Sequence, residues 1–239
     1  MTILVTGGTG KTGIPLSRLL KKANLSVLIA SRSGTAPGGY KGVKFDWFDE
    51  KTFENPFKAD SNIDRVYLVV PSVIDGSDVV KPFIDLAISK GVKRFVLLTA
   101  TQIEIGSATL TGKVHEYLVN SKVDYAVLRP TWFMRKCLFN KKIPIRQNTE
   151  RKNVFFFFIE NFGTMFVQNI RDKNEIYSVA KDGRIPFVSV EDVAQAAVDA
   201  LVSKKSPNKD YYIVGPELFT YDQASKTPDL DRKRQSYDR

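Results

Sequence analysis

The chain has 239 residues, 43 % of them apolar and 26 % charged, which suits one large domain on a scale of about 100–200 residues per domain and excludes a disordered chain. Its longest apolar run, Val154–Ile159, is far below the roughly 18–20 residues that span a bilayer. The net charge of +10 is concentrated in Arg135–Ile159 (+6) and Ala224–Arg239 (+2), leaving +2 on the other 198 residues, so the nearly neutral body argues against a nucleic-acid partner.

The predicted elements alternate between short aliphatic runs and helical periods. A strand over Ile3–Thr6 is followed by a glycine-rich loop and a helix over Gly13–Lys22. No basic stretch precedes that strand, so a secretory signal is not expected, and the single Cys137 cannot form an internal disulfide; both point to a reducing, cytoplasmic setting. Strands follow at Val27–Ala30, Val43–Phe45 and Arg65–Val70. Next comes a helix over Asp78–Lys90, capped by Asp78 and closed by Gly91. A strand over Arg94–Leu98, a helix over roughly Gly112–Ser121 and a strand over Tyr125–Leu128 continue the alternation. After Arg135–Ile159, a basic segment without consistent period that ends in Phe155–Phe158, the pattern resumes with a helix over Val190–Val202. Ser189 and Asp192 resemble a capping box for it. A last strand is expected at Tyr211–Val214, before a tail over 224–239 whose one aliphatic, Leu230, cannot bury a face. The strands are nearly continuous apolar runs, as when both faces of a parallel sheet are covered. The expected fold is therefore α/β with a doubly wound parallel sheet: one domain over 1–223, interrupted by the insert 135–159, then a disordered charged tail.

The most informative stretch is Thr6-Gly7-Gly8-Thr9-Gly10-Lys11-Thr12-Gly13, between first strand and first helix. A dinucleotide diphosphate needs a tight turn, backbone close enough to donate N–H bonds, and a helix N-terminus facing the charge. Gly7, Gly10 and Gly13 supply them, with Thr6, Lys11 and Thr12 flanking. A P-loop would need its first glycine at position 5, where Val5 stands. At the tip of the second strand, Ile29-Ala30-Ser31-Arg32-Ser33 lacks the acid that bonds ribose hydroxyls. Arg32 suits a 2′-phosphate through its planar fork, and Ser31 and Ser33 add hydroxyls, so NADPH is the expected cofactor. Further edges of its pocket are expected at later strand ends: Pro71 and Ser72, Thr99–Thr101, then Pro130 and Thr131.

The Tyr-x-x-x-Lys pair that usually protonates an alkoxide in short-chain dehydrogenases is missing, because Tyr117 is followed four residues on by Ser121. Tyr40 with Lys44 and Tyr177 with Lys181 match by spacing but sit outside helices. The candidates near the expected site are Lys113 and Thr101 for catalysis and Gln102, Trp132 and Phe133 for substrate. His115, further round the helix from Lys113, is expected at the surface. No metal is expected. Ketone reduction needs a proton for the oxyanion, whereas hydride addition to an iminium yields a neutral amine without one.

Val5-Thr6-Gly7-Gly8-Thr9-Gly10, Ala30-Ser31-Arg32-Ser33, Phe45-Asp46-Trp47-Phe48-Asp49-Glu50, Lys93-Arg94-Phe95-Val96-Leu97-Leu98, Leu128-Arg129-Pro130-Thr131-Trp132-Phe133-Met134 and Gly183-Arg184-Ile185-Pro186-Phe187-Val188-Ser189-Val190-Glu191-Asp192 together resemble the NmrA-like atypical short-chain dehydrogenases. Within that family they are similar to the fungal agroclavine and festuclavine dehydrogenases of ergot alkaloid biosynthesis. The resemblance covers residues 1–134 and roughly 160–223. It implies a Rossmann-like fold of NmrA type and NADPH-dependent reduction of an indole iminium, formed from chanoclavine-I aldehyde, to a clavine alkaloid. It leaves open a partner enzyme, an upstream pathway reductase. In the family the stretch matching Trp132-Phe133-Met134 runs directly into Glu-Asn-Phe, found here as Glu160-Asn161-Phe162 after 25 further residues. Those residues are expected to be an intron translated in frame, since Val154–Ile159 is what a pyrimidine-rich tract would encode. Past Thr220-Tyr221-Asp222 the family continues with helices that help close the substrate pocket, and the charged tail stands in their place, so a truncated substrate region is expected.

Overall fold

Every second residue of the first strand faces a different helical layer. Leu4 packs with Val80, Phe83 and Ile84 and with Leu110, Val114 and Leu118. Ile3 and Val5 pack with Leu16 and Leu20 and with Ala194, Ala197 and Leu201. This computed structural model describes residues 1–71, 77–133, 145–147, 172–173, 176–178 and 180–226. Its strands are β1 (Thr2–Thr6), β2 (Ser26–Ser31), β3 (Lys41–Lys44), β4 (Ile63–Leu68), β5 (Arg94–Leu98), β6 (Asp124–Pro130), β7 (Ile145–Gln147), β8 (Ile176–Ser178) and β9 (Lys209–Ile213). Its helices are α1 (Gly13–Lys22), α2 (Asn55–Ala59), α3 (Ser77–Ser89), α4 (Leu110–Asn120), α5 (Val190–Val202) and α6 (Tyr221–Lys226).

The chain divides into two compact units, one of Met1–Pro130 with Val190–Ile213, the other of Thr131–Ser189 with Val214–Arg239. The first is a seven-stranded sheet in the order β3-β2-β1-β4-β5-β6-β9, parallel at every pairing. Helices α3 and α4 contribute to one core cluster, α1 and α5 to the other. This is the doubly wound arrangement, and its order reverses between β1 and β4, where ligands of open α/β sheets bind. The bounds of α1, β5 and α5 are those predicted. Gly91 closes α3 at φ +96°, with the Val92 N–H donating to the Ala87 carbonyl at 3.0 Å. Asp78 lies in the first turn of α3 rather than before it.

Two side chains lock distant parts of this unit. Arg94, 2 % exposed, donates through Nη1 to the carbonyls of Ala200 (3.1 Å) and Ser203 (2.7 Å), and through Nη2 to Asp124 (3.2 Å). It thereby satisfies carbonyls at the end of α5 that no helical N–H reaches. Trp47 packs edge-on against Phe45 (4.8 Å) and Phe83 (5.4 Å), and its Nε1 donates to the Val69 carbonyl at 3.2 Å.

In the second unit, β7 and β8 form a parallel pair, so Ile145–Gln147 inside the aperiodic segment is extended. Phe133 bridges to Val188, and Ile185 to Phe219. Helix α6 crosses the boundary that the sequence suggests at 223, and it buries Tyr221 and Ala224. The expectations for the rest of 135–159, for Glu160-Asn161-Phe162 and for the tail beyond Lys226 lie outside the described residues. Among the described residues no helix is long and apolar enough to cross a membrane.

Candidate functional site

The glycine loop is held from beneath by Thr6. Its hydroxyl is fully buried, donates to the Tyr67 carbonyl at 3.1 Å and accepts the Val69 N–H at 2.8 Å. Thr6 therefore joins the ends of β1 and β4 and supports the loop by its position. Gly7 stands at φ +63°, and a Cβ there would meet the Val69 side chain at 3.1 Å. The Gly10 N–H donates to the Gly7 carbonyl at 2.8 Å and closes the turn. A Cβ on Gly13 would lie 2.5 Å from the Gly7 carbonyl and 2.6 Å from Gly8 Cα, so α1 begins pressed against the loop. In its first turn the Ile14 N–H donates to the Gly10 carbonyl at 3.2 Å and the Leu16 N–H to the Thr12 carbonyl at 3.0 Å, and the helix dipole is positive at that end. The sequence reading did not single out Gly8, where a Cβ would lie 2.6 Å from the Ile29 side chain and 3.0 Å from the Val5 carbonyl.

Thr12 is buried and Lys11 half-buried at this turn. The Tyr67 hydroxyl, fully buried, has no hydrogen-bond partner among the described residues. Burial drives its pKa well above the ordinary phenol value, opposed weakly by the Thr12 side chain, a contact that falls short of hydrogen-bond geometry.

At the tip of β2 three hydroxyls interlock. Ser31 donates to the Thr35 carbonyl at 2.7 Å, and the Ser33 and Thr35 hydroxyls are 2.7 Å apart. Arg32 is exposed beside them, with no side-chain partner among the described residues. Thr35 belongs to this cluster although sequence reading did not single it out. Gly42 of β3 lets the loop close, since a Cβ there would lie 2.5 Å from the Gly34 carbonyl.

Along the remaining strand ends of the first unit, Pro71 is half-buried and Ser72 lies outside the described residues. Thr99 donates to the Leu128 carbonyl at 3.1 Å. Thr101 donates both its hydroxyl (2.8 Å) and its N–H (3.0 Å) to the carbonyl of buried Pro130. Its hydroxyl proton is thus engaged with backbone, while its lone pairs remain available. Gln102 is exposed, and Lys113 is half-buried in the first turn of α4. His115 overturns the surface expectation: it is 5 % exposed and sits 6.2 Å from the Tyr125 ring. The expectation failed because β6 covers the flank of α4 on which His115 stands. Burial lowers its pKa, with the Asp210 charge opposing this, Arg129 reinforcing it and Glu104 opposing it.

The Tyr117 hydroxyl donates to Asp85 of α3 at 2.5 Å. Lys44 lies on β3, and Lys181 occupies a turn at φ +46°, so neither spaced Tyr–Lys match is helical. In the second unit, Thr131 donates to the Pro186 carbonyl. The Trp132 carbonyl accepts the Val188 N–H at 2.9 Å, and its ring stands edge-on to Tyr221 at 6.5 Å. Phe133 is 8 % exposed. Among the described residues no group of His, Cys, Asp and Glu is placed to hold a metal ion.

No family model matches the chain. It is 40 % identical to agroclavine dehydrogenase of Claviceps fusiformis over 95 % of this chain and 72 % of that protein. It is 38 % identical to festuclavine dehydrogenase of Aspergillus fumigatus over 94 % of this chain and 71 % of the relative. The fold is similar to that of an Escherichia coli NADPH-dependent quinone oxidoreductase complexed with NADPH, at TM-score 0.64 and 18 % identity, over 91 % of this chain and 71 % of the other. The identity and extent of these matches establish that the chain belongs to the agroclavine/festuclavine dehydrogenase family of oxidoreductases.

Proposed function

We propose that the chain is an NADPH-dependent oxidoreductase that reduces a cyclic iminium, formed from chanoclavine-I aldehyde, to a clavine alkaloid. The observation that carries this reading is the cradle of Gly7, Gly10 and Gly13 against the start of α1, joined to an exposed Arg32 beside the hydroxyls of Ser33 and Thr35. The cradle suits a dinucleotide, because glycine at position 13 lets the start of α1 pack against the loop backbone, which brings the loop and the positive end of the helix dipole to the place a diphosphate would take. Arg32 pairs with a 2′-phosphate, and no acid at the β2 tip repels it. When bound, NADPH supplies a hydride.

The chain's own contribution to the chemistry is positional. Tyr117 is engaged with Asp85, so α4 offers no phenol as a proton donor. Hydride addition to a C=N⁺ carbon requires none, since the electron pair of the π bond comes to rest on nitrogen as a neutral amine. Gln102, Lys113 and Thr101 orient the substrate, and orientation supplies much of such a rate. The test is the loss of NADPH absorbance on mixing with chanoclavine-I aldehyde and a thiol or amine, with formation of the reduced amine by mass. No consumption under any of these conditions would refute it.

A second reading, a dinucleotide-binding redox sensor without turnover, is favoured by the occupied Tyr117 hydroxyl. Tight NADPH binding without consumption would establish it over the first.

A further inference from the structure

Arg129 interrupts the apolar run of β6 with a charge that is 3 % exposed. A guanidinium removed from water is costly unless its donors are paired; here both terminal nitrogens are, while Nε has no hydrogen-bond partner among the described residues. Nη1 donates to Asp210 of β9 at 2.7 Å, and Nη2 donates to Glu104 at 2.5 Å and to the Thr101 carbonyl at 2.9 Å. The Tyr212 ring covers the guanidinium carbon at 4.4 Å. The two acidic partners differ in setting. Asp210 is fixed within the sheet with its side chain 34 % exposed, whereas Glu104 belongs to the loop after β5 and is 68 % exposed.

That loop carries Thr101 and Gln102, and β6 grips it at two adjacent points. The Pro130 carbonyl takes both donors of Thr101, and the Arg129 guanidinium takes the Thr101 carbonyl and the Glu104 carboxylate. Between Thr101 and Glu104 lie only Gln102 and Ile103. Ile103 turns back through its N–H to the Ala100 carbonyl at 3.0 Å, and the Glu104 carbonyl receives the Ser107 N–H at 3.2 Å. The segment around Gln102 is therefore held by the Pro130 carbonyl and the Arg129 guanidinium together.

We propose that Arg129, braced by Asp210 and latched by Glu104, is a positioning residue that sets the placement of Thr101 and Gln102 for substrate. The kinetic arm of this proposal rests on the reductase reading given above; its structural arm does not. Glu104 is the residue to change, because it is exposed and its removal leaves the core packed.

The experiment compares wild type with Glu104→Ala and Glu104→Gln, using NADPH with chanoclavine-I aldehyde and a thiol. It also follows amide hydrogen exchange over residues 100–107. Glu104→Ala should lower kcat/KM for the aldehyde-derived substrate at least about tenfold, leave the NADPH Kd unchanged, lower the Tm only slightly because Glu104 is 68 % exposed, and speed exchange in that segment. Glu104→Gln, which keeps an oxygen acceptor, should restore most of both. Wild-type kinetics in Glu104→Ala, with or without faster exchange, overturns the positioning role. If the wild type consumes no NADPH, the reductase reading falls and exchange alone decides the latch: unchanged protection in Glu104→Ala overturns it.

Discussion

Arg32 offers its charge to solvent at the β2 tip, where a hydrogen bond to a charged group is worth about 1.5–3 kcal/mol. Arg32→Ala should therefore weaken NADPH at least about tenfold by calorimetry while leaving NADH within about twofold. Equal weakening of both would remove the 2′-phosphate role. Gly13 tests the cradle itself: a methyl group there meets the Gly7 carbonyl and Gly8 Cα, backbone atoms that cannot rotate away. Gly13→Ala should cost about 1–3 kcal/mol of stability in urea unfolding and abolish binding of both nucleotides. His115 tests pH. Its folded-state pKa lies below the ordinary 6.5, so below that pH the unfolded chain binds a proton that the folded one resists. Stability from this residue is intact above about 6.5 and declines as pH falls toward the folded value, by at most about 1.4 kcal/mol per unit. Urea unfolding at pH 7.5 and 5.5 should show a smaller difference for His115→Phe than for wild type; identical differences would exclude the buried histidine as a cause.

Arg94 is the tie between β5 and the end of α5, and breaking a buried pair leaves its partners unsatisfied. Arg94→Met should lose about 3 kcal/mol in urea unfolding, whereas Asp124→Asn, whose side chain is 40 % exposed, should lose less than about 1 kcal/mol. The elements legible in the sequence were those whose pattern is local. Helix α1 keeps Leu16 and Leu20 buried one turn apart, α5 repeats Val190, Val193–Ala194, Ala197–Val198 and Leu201, and β5 continues from Arg94 as the apolar run Phe95-Val96-Leu97-Leu98. Strand β3 begins two residues earlier than read, because Lys41 and Gly42 are recruited by register with Leu28 and Ile29 rather than by hydrophobicity. Helix α2 spans five residues started by Asn55-Pro56, too short to show a period. In the candidate site the glycine turn was readable because the positive φ at Gly7 and the close approach at Gly13 require that residue type, whereas the role of Arg32 is a proposal drawn from its charge and position. The grip of Arg129 on Glu104 and Asp210 joins positions 25 and 81 apart in sequence, and the burial of His115 depends on β6 lying over α4. Neither leaves a local pattern.

At the scale of the molecule, the described seven-stranded sheet has β3 and β9 as its end strands. Lys44 on one and Lys209 on the other are exposed, and edge lysines discourage strand addition. The double variant Lys44→Val, Lys209→Val should scatter more light than wild type at equal micromolar concentration, while its melting point stays close; equal scattering would show that the edges are protected by other means. The indole of Trp47 introduces a consequence of another kind. The chain holds two tryptophans, one in each unit. Trp47 is bonded to the Val69 carbonyl, whose own side chain abuts Gly7. A nucleotide seated on the glycine turn would thus be coupled through one residue to an intrinsic fluorophore, and titration with NADPH should change the Trp47 emission; unchanged emission on saturation would exclude that coupling.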